Sequence, residues 1–209
     1  MLLAGVGGQG ILFVTGLLAH VALAKGWAVC ACETHGMAQR GGSVVSHLRM
    51  GKKEAGPLIR KGKADLLLGL NEDEGLRYLA YLKRGGFLVL EQGKNKLGLP
   101  SLARYLNSMD IKAASVPALS VAGKSGFLLG ANLVLVGAAC ALGWLPFSAP
   151  ELERGLQALS RESLLEQNLG SLRLGLNIFR EEAGLQPSPA DGNRKRADGP
   201  GNRKGLLSV

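Results

Sequence analysis

The sequence predicts an α/β fold: a Rossmann-like three-layer domain with a mostly parallel sheet, closed by helices at its C-terminal end. Three observations carry that expectation. Short apolar runs alternate with helical stretches along most of the 209 residues, the order that winds a parallel sheet with right-handed crossovers. Gly5-Val6-Gly7-Gly8-Gln9-Gly10 stands between an apolar stub and a helical stretch, where tight βα turns need glycine. Finally, the chain holds 31 glycines while aromatic residues make up only 5%, a balance that suits such turns better than the stacking platforms of a nucleic-acid reader.

Taken in order, Leu2-Leu3-Ala4 is the stub of the first strand, and a helix follows from Ile11 to Lys25, closed by Gly26. Trp27 to Cys32 reads as the second strand, ended by Glu33. A polar loop runs to Ser43, after which Ser43 to Met50 alternates, with Val44, Ser46, Leu48 and Met50 on one face and Val45, His47 and Arg49 on the other. Its expected partner is Pro57-Leu58-Ile59, across a turn at Gly51-Lys52-Lys53. Ala64 to Leu70 is a continuous apolar run, the mark of a buried parallel strand. Asn71 and Glu74 form a capping box for a helix ending at Gly85-Gly86, and Phe87 to Glu91 is the next strand. A helix from Ser101 to Ser108 and a strand from Ile111 to Val116 complete another round.

The uncharged stretch from Gly126 to Phe147 is long enough to cross a bilayer, yet its glycines, Asn132 and Pro146 fit a helix buried on all sides. Ser148, Glu151 and Pro150 make a second capping box, and two amphipathic helices then run to about Gly184. The expected organisation is one domain over residues 1–185. Residues 186–209, with three prolines and a repeated Gly-Asn-Arg-Lys, have no apolar period and read as a disordered basic tail. Past Pro187, five basic residues against two acidic ones place +3 of the net charge of +9 in that tail. The folded part therefore implies neither a nucleic acid nor a membrane partner.

Three cysteines, Cys30, Cys32 and Cys140, form no even disulfide framework and read as buried thiols of a cytoplasmic protein. They are too few for an iron–sulfur cluster or a structural zinc site. Gly123-Lys124-Ser125 has the ending of a phosphate-binding P-loop, but Ala118 stands where its first glycine belongs, and a plain loop is expected.

Two stretches hold the candidate site. In the first, Gly5, Gly7, Gly8, Gln9 and Gly10 precede a helix N-terminus, whose free N–H groups suit a phosphate or carboxylate; a tight helix-to-sheet turn would use the same glycines. Glu33, about twenty residues on, stands where a dinucleotide fold keeps the acid that binds ribose. In the second, Glu33, His35, Gly36, Met37, Gln39, Arg40, Gly41, Gly42 and Ser43 gather a carboxylate, an imidazole, an amide and a guanidinium, with His47 close behind. No i, i+4 histidine pair or cysteine cluster marks a metal site, and no serine elbow marks a nucleophile. Direct ligand contact and a structural role, with Arg40 paired to Glu33 and His47 a strand residue, stand level for these side chains.

Together, Gly5-Val6-Gly7-Gly8-Gln9-Gly10-Ile11 and His35-Gly36-Met37-Ala38-Gln39-Arg40-Gly41-Gly42-Ser43-Val44-Val45-Ser46-His47 resemble the gamma subunit or domain of the 2-oxoacid:ferredoxin oxidoreductases. The indolepyruvate branch of small subunits is the nearest in pattern. The likeness extends to about Gly184 and includes Ala64-Asp65-Leu66-Leu67, Tyr81-Leu82-Lys83-Arg84-Gly85-Gly86 and Asn132; the short first strand and the basic tail depart from it. The resemblance implies a heteromeric enzyme that decarboxylates an aryl pyruvate with thiamine diphosphate and magnesium. It also implies iron–sulfur clusters that pass electrons to ferredoxin, and coenzyme A as the acyl acceptor. No Gly-Asp-Gly motif with a distal asparagine pair is present to hold thiamine. The expectation is therefore that this chain binds none of these cofactors alone, and that its two loops complete a site built by a large thiamine- and cluster-bearing subunit. A free-standing oxidoreductase binding NAD(P) or FAD, or a binding module without chemistry, are the competing readings.

Overall fold

The computed structural model describes residues 1–35, 41–52, 56–94 and 96–182. Among the described residues, six strands form one sheet: β1 (Leu2–Val6), β2 (Ala28–His35), β3 (Ser43–Gly51), β4 (Ala64–Gly69), β5 (Leu82–Glu91) and β6 (Lys112–Val116). Their spatial order is β2-β3-β1-β4-β5-β6. From β1 through β6 the neighbours are parallel, whereas β3 lies antiparallel to both β1 and β2. Seven described α-helices accompany them: α1 (Ile11–Ala24), α2 (Glu72–Arg77), α3 (Pro100–Ser108), α4 (Ala118–Lys124), α5 (Ala131–Ala141), α6 (Ala149–Leu159) and α7 (Glu162–Glu182).

The strand period of two sorts side chains into two cores. Leu3, Leu48, Leu66, Leu68 and Val89 face one side and pack with Val14, Leu17 and Leu18 of α1, and with α5, α6 and α7. Leu2, Ala4, Val45, Leu67, Leu88 and Leu90 face the other and meet Leu79, Leu106 and Ile111. Both faces of the sheet are thus covered, giving the three layers the sequence predicts. Each of these fully buried leucines contributes roughly 1.5–3 kcal/mol of transfer free energy.

Helix α5 is surrounded because α7 lies directly against it. A Cβ built on Gly137 would overlap the carbonyl oxygen of Leu172, and one on Gly175 would overlap that of Val134. Glycine at both positions lets the two backbones touch. This is why the long uncharged stretch needs no membrane. It is broken into a 3₁₀ turn (Leu128–Gly130), an eleven-residue α5 and an irregular segment, and no described helix is long and apolar enough to span one.

Several local expectations change. Strand β2 continues past Cys32, because Glu33, Thr34 and His35 find cross-strand partners in Ser46, Val45 and Val44. Strand β3 pairs with β1 and β2, so Pro57-Leu58-Ile59 is not its partner; Ile59 instead donates its N–H to His47 Nδ1 at 3.1 Å. The helix expected to run from Asn71 to Gly85 stops at Arg77, passes through a 3₁₀ turn (Leu79–Tyr81), and gives way to β5 at Leu82. Gly85, at φ +70°, and Gly86 turn the chain inside a bulge of that strand. The box at Asn71 is one-sided: Asn71 Oδ1 accepts from the Glu74 N–H at 3.1 Å, but the Glu74 carboxylate turns to Ser43 and Arg77. The box at Ser148 and Glu151 is reciprocal, as expected. Gly123 and Lys124 lie inside α4 and Ser125 caps it, so they form no phosphate loop. The cysteines are half-buried rather than buried. The tail lies outside the described residues.

Candidate functional site

Strands β1, β4 and β5 run in one direction, so their carboxyl ends at Val6, Gly69 and Glu91 share one edge of the sheet. From β1 the chain goes on to β2 and β3 on one side and then crosses to β4, β5 and β6 on the other. The crevice above β1 and β4 is therefore the topological switch point, where open α/β sheets place their ligands. A cavity of about 350 Å³ opens there, lined by Gly8, Gln9 and Gly10, by Leu70 and Glu91, and by Asn132 at the start of α5.

The glycine loop is held from within. Gln9 Oε1 accepts the Val6 N–H at 2.7 Å, and Gln9 Nε2 donates to the Leu70 carbonyl at 2.9 Å, so one side chain ties the loop to the ends of both β1 and β4. Asn132 Nδ2 donates to the Gln9 carbonyl at 3.2 Å, which ties it to α5 as well. Gly10 starts α1 in the left-handed region, at φ +76°, and a Cβ there would run into Asn132 Nδ2. Both the backbone angle and the space require glycine. Gly5 has no room either: a Cβ there would lie 2.7 Å from Gln9 Oε1 and 3.1 Å from Leu70 Cβ.

The second predicted stretch meets the first. The Gly7 N–H donates to the Gly42 carbonyl at 2.9 Å, and Ser43 pairs with Val6 across β1 and β3. Gly41, at φ +74°, turns the chain into β3, and the Ser43 hydroxyl donates to the Glu74 carboxylate. Glu33 and His35 lie on β2, one strand beyond. Gly36, Met37, Gln39 and Arg40 lie outside the described residues, and so does the expected pairing of Arg40 with Glu33. His47 has the structural role: buried in the sheet, it accepts from Ile59 and meets the Tyr81 ring edge-on at 5.8 Å, and burial pushes its imidazole below the usual histidine range.

The dinucleotide comparison fails on register. In that fold the acid-bearing second strand lies beside the first. Here β3 intervenes, so Glu33 stands about two strand spacings, on the order of 10 Å, from β1. Its position in sequence matches the fingerprint and its position in space does not.

Glu91 is the site residue that sequence reasoning missed. It is 5% exposed at the end of β5, lines the cavity, and has both carboxylate oxygens 3.2 Å from the Leu119 N–H. Burial pushes the carboxyl up to about 7, against the opposing pull of the Leu119 and Ala118 amides. An acid closing the apolar run Phe87–Leu90 is the signal that marks it. Around the mouth stand the exposed side chains of Leu119, Leu128 and Leu129. Apolar groups clustered so at a cavity rim favour contact with another protein. Among the described residues, no group of three histidine, cysteine or acidic side chains could hold a metal ion.

Comparison with known proteins gives a consistent picture. Residues 1–178 match the family model described as pyruvate ferredoxin/flavodoxin oxidoreductase. Indolepyruvate oxidoreductase subunit IorB of Archaeoglobus fulgidus is 34% identical over 190 residues, covering 85% of this chain and 93% of that one. Among solved structures, the gamma subunit of a keto/oxoacid ferredoxin oxidoreductase from Geobacter sulfurreducens superposes with a TM-score of 0.64 at 23% identity, over 84% of this chain and 95% of that one. The 2-oxoglutarate:ferredoxin oxidoreductase of Magnetococcus marinus, solved with 2-oxoglutarate, coenzyme A and succinyl-CoA bound, matches with a TM-score of 0.69 at 20% identity. In that case 86% of this chain covers 30% of the larger one.

Proposed function

The chain belongs to the pyruvate ferredoxin/flavodoxin oxidoreductase family, and on that premise we propose that it serves as the site-completing small subunit of an aryl-pyruvate:ferredoxin oxidoreductase. Its relatives are subunits of 2-oxoacid oxidoreductases, so it works as part of an enzyme with a partner subunit. The partner of this proposal is a large subunit that carries thiamine diphosphate with magnesium and the iron–sulfur clusters. The assembled enzyme converts an aryl 2-oxo acid and coenzyme A to acyl-CoA and carbon dioxide, passing two electrons to ferredoxin.

The observation that carries the reading is the Gly7 to Gly42 hydrogen bond, which joins the two motif loops into one surface at the carboxyl ends of the strands. That surface lies beside the apolar rim of Leu119, Leu128 and Leu129, a combination suited to docking against a protein that supplies the reacting groups. The described side chains do not fit the cofactors themselves. They offer no three-ligand group for magnesium or a cluster, and Glu91, the acid that lines the cavity with the glycine loop, is turned to a backbone amide. No step of the reaction is therefore assigned to this chain's own side chains. Gly5, Gly7, Gly8, Gln9 and Gly10 shape the crevice, while Glu33, His35, Gly36, Met37, Gln39, Arg40, Gly41, Gly42 and Ser43 form the partner-facing edge. The domain is residues 1–185, and the cytoplasm is its place of work.

Purifying the chain alone and together with its large subunit tests the division of labour. Thiamine-dependent, coenzyme A-dependent reduction of ferredoxin is expected only from the pair. Turnover by the isolated chain, or tight binding of NAD, NADP or FAD to it, would sink the proposal.

A further inference from the structure

Helix α1 carries no charged residue, and its two polar side chains, Thr15 and His20, are buried and half-buried. A helix apolar on every side is one that the finished structure encloses. The chain encloses α1 over part of its circumference only. Val14, Leu17, Leu18, Val21 and Ala22 face the core. Helix α6 closes against Leu17 and Val21, where a Cβ on Gly155 would stand 2.9 and 2.7 Å from their side chains. On the remaining side Leu12 and Leu23 are 53% and 59% exposed, Gly16 is exposed and Ala19 is half-buried. At spacings of four, three and four residues these positions form one stripe along the helix. The outward sides of α6 and α7 are different, for they carry Arg154 and Gln157, and Glu166 and Arg173.

Gly16 adds an independent sign. At Gly10, Gly137, Gly155 and Gly175 a Cβ would strike another part of the chain, whereas at Gly16 it would meet nothing within 4 Å beyond its own helix. Glycine in mid-helix weakens the helix, and no packing among the described residues calls for it here. On an exposed apolar stripe it leaves a hollow into which another backbone can settle.

The order of the stripe identifies that backbone. Leu12, Gly16, Ala19 and Leu23 read the same from either end, large, small, small, large. When two copies of α1 lie antiparallel about a two-fold axis, Leu12 of each meets Leu23 of the other, and Gly16 meets Ala19. The small residues let the helices close at the centre while the leucines fill both ends. A surface that complements itself under two-fold rotation is what an isologous dimer requires. A helix without charge also brings no like-charge contact to that pairing.

We propose that α1 is a dimerisation helix, its exposed stripe covered by α1 of a second copy of this chain in antiparallel register. The pairing goes beyond the function proposed above and does not rest on it. Because Gly10 and Phe13, at the start of α1, line the crevice, the dimer would hold two crevices in one assembly.

Sedimentation of the full chain is expected to show a concentration-dependent dimer in the micromolar range. Leu12→Glu and Leu23→Glu, both at exposed positions, should each weaken it at least tenfold, with the far-ultraviolet circular dichroism of the wild type retained. Gly16→Ala separates docking from folding. Its methyl group finds open space in the single chain, so the dissociated protein should melt no lower, yet the dimer should be weaker. In the antiparallel register positions 12 and 23 of opposite copies touch, while equal positions lie about 16 Å apart along the axis. Copper–phenanthroline oxidation of mixed Leu12→Cys and Leu23→Cys chains should therefore link those two positions, and neither variant alone should link to itself there. A chain that sediments as a monomer throughout, a dimer that Leu12→Glu leaves intact, or self-linkage of the single variants at those positions would overturn the proposal. A monomer whose α1 gains hydrogen-exchange protection only when the large subunit is added would overturn it in favour of that partner.

Discussion

Replacing Glu91 by glutamine removes one ionisable proton from the floor of the crevice while keeping an oxygen for the Leu119 amide. In the folded chain burial holds this carboxyl at about 7 against an ordinary 4.5. Because the folded value is raised, the native state keeps its proton where the unfolded state has lost it. The resulting stabilisation is complete below the unfolded value and disappears as pH rises through the folded one. At about 1.4 kcal/mol per unit, the group costs the wild type roughly 2–3 kcal/mol of stability between pH 5 and pH 8. Urea denaturation followed by the emission of Trp27 and Trp144 measures this at both values. The Glu91→Gln chain is expected to lose roughly 2–3 kcal/mol less than the wild type over that interval. If the two chains show the same pH dependence, Glu91 is not the buried proton carrier its surroundings imply, and the crevice is wetter than its lining indicates.

Gly10→Ala combines a left-handed backbone angle with an overlap against Asn132; thermal unfolding should register a loss of at least roughly 1–2 kcal/mol. Gly175→Ala pushes a methyl group into the Val134 carbonyl and forces α7 off α5; overpacking of this kind costs roughly 1–3 kcal/mol or more, visible as an early loss of helical circular dichroism. Ser148→Ala removes the hydroxyl from the reciprocal cap of α6 and should lower stability by about 1 kcal/mol in the same denaturation series, with a shift near zero counting against the cap. On the proposed partner-facing edge, Arg40→Ala is expected to weaken association with the proposed large subunit about tenfold, while turnover per assembled complex stays unchanged; a titration of one subunit with the other decides it.

The alternation of sheet and helix was legible because it is written in local periodicity. Runs such as Ala64–Gly69 and the helix opening at Ile11 appear where the pattern puts them. What local pattern does not carry is pairing. Ser43–Gly51 reads as a strand, but nothing in its residues states that it inserts between β1 and β2, and that insertion removes Glu33 from the place the fingerprint assigns it. The polar trio Glu33, Thr34 and His35 looks like loop until cross-strand partners are supplied by residues nine to thirteen positions away. Likewise the region after Asn71 carries helix formers, yet Gly75 packs against Gly69 and Leu90 with no room for a side chain, and the sheet claims the chain from Leu82 onward. Of the site, both glycine-rich stretches were visible as unusual composition, whereas Glu91 was not. A carboxylate ending an apolar strand becomes notable only when Leu119 and the cavity close around it.

The insertion of β3 also has a kinetic consequence. Strand β1 is the hub of the sheet, yet its two neighbours are contributed by residues 43–51 and 64–69, some forty and sixty positions further along. The first strand made is therefore among the last to be secured, since two long loops must close before it is held on both sides. The hairpin-like pair β2 and β3, joined by a short connection, can assemble on its own and wait for β1 to dock along its free edge. Refolding should accordingly be slowed by substitutions in Leu2, Leu3 and their partners only to the extent that this docking is the rate-limiting event, whereas changes within β2 and β3 would act on the earlier step. The arrangement that brings the two motif loops together at the top of the sheet is thus also the one that delays its completion.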